Sequence, residues 1–154
     1  MVSIKTQGFR EMDAALGEFS KATARNVLKR AGLAALEPVV EDAARRAPVD
    51  DNGERQLQES IAASDKLNRR QKRLNRQPST VEVYAGPAGD GAQGAPPSGT
   101  QQEFGNERHG PQPFLRPAWD ANKAKVLDTV KDELGAEITK ATERAQRKAL
   151  RAKA

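Results

Sequence analysis

The side chains able to do chemistry are few and far apart. His109 is the only histidine and there is no cysteine, so no second nitrogen or thiolate stands at the short spacing a usual zinc site needs. Glu103 and Glu107 could pair as acid and base only in a cleft that drives their pKa values apart. Nothing around them in the sequence points to one. Ser60 and Ser98 lack a positioned base, because the single histidine would have to serve either without an orienting motif. Gly86, Gly89, Gly91 and Gly94 precede Pro96 and Pro97 rather than a capped helix with Lys-Ser or Lys-Thr, so they are linker glycines and not a phosphate cradle. The expectation is a protein that is not an enzyme, with no catalytic, metal-binding or cofactor-binding residues. A hydrolase using Glu103 and His109 is the enzymatic alternative, and it predicts activity lost on His109→Ala.

Binding is left, and charge is its first determinant. The 154 residues carry 26 Lys plus Arg against 21 Asp plus Glu, a net charge of +5. Most of the excess lies in two segments. Lys66, Arg69, Arg70, Lys72, Arg73 and Arg76 are opposed by Asp65, and Lys140, Arg144, Arg147, Lys148, Arg151 and Lys153 by Glu143. Either could attract nucleic acid or an acidic protein surface. Without interleaved aromatics they also fit a solvated loop and a helix end whose dipole favours cations. The absence of cysteine fits a reducing compartment. No apolar leader and no run of about 18 apolar residues occurs, so a soluble protein with no membrane partner is expected.

The elements that must position these residues form an α+β chain. One domain over 1–154 is expected, with helices in 1–48, strands and loops in 49–116 with flexible stretches at 66–78 and 86–99, and a long helix over 117–154. Phe9, Met12, Leu16 and Phe19 share one face of a short helix. Ser20 can cap a second helix striped by Val27, Leu28, Ala31, Ala35, Val39 and Ala43 and widened by Leu33, Leu36 and Val40. Pro38 should kink or break it, and Ala47-Pro48 should end it. From Ile61 to Leu67 the pattern leaves strand and irregular chain open. Thr80 to Ala85 alternates as a strand ending at Gly86-Pro87, and Thr100 to Phe104 is a second strand or a helical turn. Trp119, Val126, Val130, Leu134, Ile138, Ala141, Ala145 and Ala149 stripe the last helix. It would be on the order of 50 Å long, against roughly 26 to 30 Å for a domain of this size, so its last turns should overhang. With 36% hydrophobic and 31% charged residues, the core must be thin, which favours support from neighbouring subunits.

The segment from Glu103 to Trp119 is dense in residues with fixed conformational roles. Gly105 allows a sharp bend, Pro111 and Pro113 hold an extended lead, Phe114 and Leu115 anchor it on the core, and Pro117 suits a first helical turn. Arg116 is placed to bind Glu103 or the carboxy terminus of a helix. This segment, with Ala47-Pro48, Asp50 and Gly53, Leu57, Ser60-Ile61 and Val81 to Gly86, resembles the pattern of the tail-component family of tailed bacteriophages named after gene product 10 of phage HK97. That family is similar to the minor tail proteins that complete tails before they join heads. Asn106 stands where the family often has Thr, and the turn from Asp51 to Gln56 is longer than its usual Thr-Gly-x-Leu.

The resemblance implies a structural virion protein, made in the bacterial cytoplasm and placed at the neck or the top of the tail. It would form a ring, with a hexamer favoured, between the head connector or stopper and the tail terminator or tail-tube proteins, close to channel DNA. Alternatives are a tail terminator, another connector ring, or a DNA-binding protein. Interface candidates are Glu103, Phe104, Gly105, Pro113, Phe114, Leu115, Arg116, Pro117 and Trp119. Basic contact candidates are Lys66, Arg69, Arg70, Lys72, Arg73 and Arg76.

Overall fold

A computed structural model describes residues 9–49, 57–67, 72–73, 81–87 and 98–153. The elements are α1 (Phe9–Gly17), α2 (Lys21–Arg46), α3 (Leu57–Ser60), β1 (Ile61–Ser64), β2 (Tyr84–Pro87), α4 (Ser98–Phe104) and α5 (Leu115–Lys153). The class is α+β, as expected. Asp50 to Gln56 and residues 88–97 of the loop expected over 86–99 lie outside the described residues, as do Arg69, Arg70, Arg76 and Thr80.

Two antiparallel helices, α2 and α5, form the frame. Val27 and Ala31 of α2 cluster with Leu134 and Ala141 of α5, whereas Ala35, Val39 and Ala43 cluster with Phe114, Ala118 and Val126 near the start of α5. Small residues at the α2 contact let the helices approach closely, and Leu, Val and Phe from α5 fill the gaps. Helix α1 adds Met12 and Leu16 to the first of these clusters, together with Phe19 just beyond it. It lies against α5, where the Met12 methyl comes within 3.6 Å of the Cβ position of Gly135.

Local chemistry accounts for the limits of α2. Ser20 is the N-cap, its Oγ accepting from the Thr23 amide at 3.3 Å. At the other end Ala47 takes the extended conformation that Pro48 imposes, with ψ 134°. The helix is unbroken at Pro38. Burial of Ala35, Leu36 and Val39 around the proline outweighs one lost backbone bond.

Two buried carboxylates on the frame break the apolar pattern. Asp42 of α2 accepts from Arg45, Arg46 and, across the interface, the Asn122 amide at 3.1 Å. Glu137 of α5 is bound by Arg30 of α2 and by Lys140. Burial would raise the Asp42 pKa, but the hydrogen bonds and charges of Arg46 and Arg45 leave it below its ordinary value. These pairs fix the register of α2 against α5 in a seam of otherwise small, slippery residues.

The sheet is two antiparallel strands, Ile61 opposite Pro87 and Ser64 opposite Tyr84. The strand expected over Thr80 to Ala85 is therefore displaced towards the carboxy terminus. Its partner β1 stops at Ser64, where Asp65 turns to an ion pair with Lys29 of α2 and the Ser64 hydroxyl takes the Lys66 amide. Val81 to Val83 consequently find no ladder partner in β1. Val83 instead packs on α2, with Cγ2 3.0 Å from where a Cβ at Gly32 would sit. Gly86 and Pro87, expected in the flexible stretch over 86–99, complete the strand, and Ser98 and Gly99 open α4. Thr100 to Phe104 is helical, which decides between the two conformations left open for it.

Helix α5 spans 39 residues, about 58 Å at 1.5 Å per residue. Among its described side chains Ala141 is the last buried one, and Thr142 to Lys148, Leu150 and Arg151 are all exposed. These are the turns expected to overhang.

Candidate functional site

The site is the joint that launches α5. Helix α4 ends where the Gly105 amide returns to the Gln101 carbonyl at 2.7 Å, and Gly105 then takes φ +78°. A Cβ there would lie 2.9 Å from the Pro111 nitrogen. Gly105→Ala thus combines left-handed strain with a clash, and a loss of about 1–2 kcal/mol is expected in urea unfolding.

Between Gly105 and Gln112 the chain folds on Asn106. Its Oδ1 accepts from the backbone amides of Arg108 and His109 at 2.8 and 3.0 Å, and its backbone N–H donates to the His109 carbonyl. The His109 ring lies 3.1 Å from Asn106 Nδ2 and 3.0 Å from the Gly110 carbonyl. Those contacts give the single histidine a place in the loop's own bonding. Among the described residues no cluster of His, Asp or Glu could hold a metal ion. The Gln112 amide closes the loop on the Gln102 carbonyl at 2.7 Å.

Glu103 performs the decisive task. A helix leaves its first amides without partners, and α5 is entered through Phe114, with no Ser, Thr, Asp or Asn at that capping position before Leu115-Arg116-Pro117. Glu103, only 4% exposed, supplies the cap from α4. Its Oε2 accepts from the Phe114 and Leu115 amides at 2.8 and 2.9 Å, and its Oε1 from the Arg116 amide at 3.1 Å. The fourth amide does not exist, because Pro117 has none, and Ala118 makes the first backbone bond, to the Phe114 carbonyl. One carboxylate and one proline thus account for every unpaired amide at this helix start. Burial would raise the Glu103 pKa. The amides of Leu115, Phe114 and Arg116 and the Arg116 charge overcome that and hold it below its ordinary value.

Arg116 does bind Glu103, with Nε 3.5 Å from Oε1, and its guanidinium stacks over the Phe104 ring at 5.0 Å. Phe114 is 0% exposed and Leu115 packs beside it on the core, as expected of the two anchors. Trp119 is a correction. Expected on the apolar stripe, it is 46% exposed, and Ala118 is the buried residue. Ala118, one turn after Phe114, faces the core at this level, and Trp119 lies about 100° round the helix from it. Phe104 is 65% exposed. The joint therefore displays two aromatic rings with an arginine between them in sequence, and its prolines and glycine hold them in place. Of the basic candidates, Lys66, Lys72 and Arg73 are exposed and away from this joint in sequence.

Residues 10–88, just over half of the chain, match the family model described as bacteriophage HK97-gp10 tail-component proteins. The chain belongs to this family. The matched span covers α2, both strands and nearly all of α1, and so includes one of the two frame helices but not the Glu103 joint or α5. Membership identifies a phage tail-component-like structural protein associated with the virion. Comparison with curated proteins and with solved structures returns no match.

Proposed function

We propose that the chain completes the tail at the virion neck, as one subunit of a closed ring lying between the head connector and the tail. The supporting observation is the joint: a helix of about 58 Å whose start is locked by a carboxylate on another element, beside the exposed Phe104, Arg116 and Trp119. A ring closes only if every subunit presents its surfaces at one fixed angle. A long helix turns a small angular error at its base into a large displacement at its tip, so the lock at Glu103 favours a single geometry. Trp, Phe and Arg are also the side chains that concentrate binding energy in subunit interfaces. The function is binding rather than turnover, and a hexamer is the state we favour.

The test is assembly of the purified chain or neck, read by native mass measurement. Wild type should give one closed oligomer. The pair Phe104→Ala and Trp119→Ala removes exposed rings without touching the core, so it should keep the thermal midpoint within about 2 °C while weakening assembly at least tenfold. A wild-type chain that stays monomeric in assembled particles would refute the ring.

A further inference from the structure

The overhang of α5 carries a second feature, separate from the joint. Lys140, Arg144, Arg147, Lys148 and Arg151 recur at steps of four, three, one and three. At 100° per residue they fall within an arc of about 100° on one helix face. All five are exposed. Lys140 and Arg147 are tied to Glu137 and Glu143, whereas Arg144, Lys148 and Arg151 make no ion pair among the described residues. From Arg144 onward the helix contains no carboxylate. Where the α1–α2 turn approaches, Arg144 and Lys148 line a groove with Phe19, Ser20 and Arg30, and Glu18 is the one carboxylate there.

We propose that this face binds the phosphate backbone of duplex DNA without regard to sequence. The chemistry selects the partner. Ala145, Gln146 and Leu150, the one large apolar residue of these turns, fall about 110°, 150° and 110° from the centre of the basic arc, off the cationic face. Phe19 of the adjoining groove is packed against the Leu134 cluster, so the cationic face itself offers none of the apolar anchors that an acidic protein interface or a lipid surface would need. From Lys140 onward the helix also carries no aromatic ring for stacking unpaired bases, which favours duplex over single-stranded DNA. Phosphates need only cations presented in a row, and a helix presents Arg144, Lys148 and Arg151 at rises of about 6 and 4.5 Å. Each of three to five neutralised phosphates releases counterions, giving a slope of about −3 to −4.5 for log K against log salt.

The contact does not depend on the ring, and its failure would leave the assembly proposal standing. The experiment measures binding of the full chain to two unrelated duplexes by fluorescence anisotropy between 50 and 200 mM salt, concentrations that bracket the steep region. Arg144→Gln, Lys148→Gln and Arg151→Gln together keep helix propensity and remove three charges. They should weaken binding to both duplexes at least tenfold and flatten the salt slope by about 2.7. The control removes the same charge elsewhere, with Arg25→Gln, Lys125→Gln and Lys131→Gln, and should retain most of the affinity. Equal losses in the two triple variants, or no measurable duplex binding by wild type, would overturn the proposal. Preference for vesicles of anionic lipid over duplex DNA would overturn the choice of partner.

Discussion

Glu103→Ala should destabilise the protein by about 3 kcal/mol at neutral pH, lowering the thermal midpoint by about 6–12 °C. The substitution strands three amides at once. That of Phe114 is buried and bears the full penalty of an unpaired donor, about 1–3 kcal/mol. Those of Leu115 and Arg116 are partly buried, and water can replace some of what they lose, at about 0.5–1 kcal/mol each. Glu103→Gln keeps one acceptor oxygen and should lose about half as much. Its loss should also depend on pH. Because the folded carboxyl titrates below its ordinary 4.5, its contribution is complete above that value. It fades as pH falls below 4.5, where the unfolded chain takes up the proton first, and is gone once the folded carboxyl is protonated. Stability curves of wild type and Glu103→Gln should therefore lie apart at pH 7 and converge under acid, measured by urea unfolding at each pH.

Phe114→Ala should have the larger effect, about 4 kcal/mol, and no such pH dependence. Among the described residues Phe114 is the largest fully buried side chain, and it joins α2, β1 and the first turns of α5 in one cluster. Truncation leaves a cavity beneath the joint, in a core with few large residues able to collapse into it. Phe114→Leu should recover most of the loss, to within about 1.5 kcal/mol of wild type. The Phe114 amide is one of the three that Glu103 holds, so the two lesions share a partner. The double variant should lose less than the sum of the single variants, by 0.5 kcal/mol or more. Unfolding free energies of the four proteins in urea complete the cycle.

Much of the frame was legible in the sequence because it rests on periodicity. The stripe from Val27 to Ala43 and the capping by Ser20 follow from spacing and residue type alone, and so does the stop at Ala47-Pro48. Misreadings arose where a residue's chemical class and its place diverged. Trp119 keeps the seven-residue spacing to Val126 that puts it on the apolar stripe, yet Ala118 faces the core at its level and Trp119 is left half exposed. Asp42 and Glu137 carry charge, so a pattern of apolar positions passes over them, although DAARR after a buried stripe does place two arginines within reach of Asp42. The strand at Val81 has the right alternation, but a strand exists only where its partner does, and β1 ends at Ser64.

The link from Glu103 to α5 was half legible. Glu103 is one of the two partners that the sequence offers Arg116, the other being a helix carboxy terminus, but the larger role, a carboxylate capping amides 11 to 13 residues away, is not a local motif. One signal did point there: the chain offers no capping side chain at Pro113-Phe114, so a helix starting at that point needs an acceptor from elsewhere. The exposure of Phe104 and Trp119 depends on packing and is visible only in the folded chain.

Averaged images of assembled particles at the head-to-tail junction test the central claim most directly. The account predicts a closed ring of identical copies of this chain between connector and tail, with the Glu103 joint of each subunit at one angle and Phe104 and Trp119 against the next subunit. Particles that hold a single copy at the junction, or none, would contradict it.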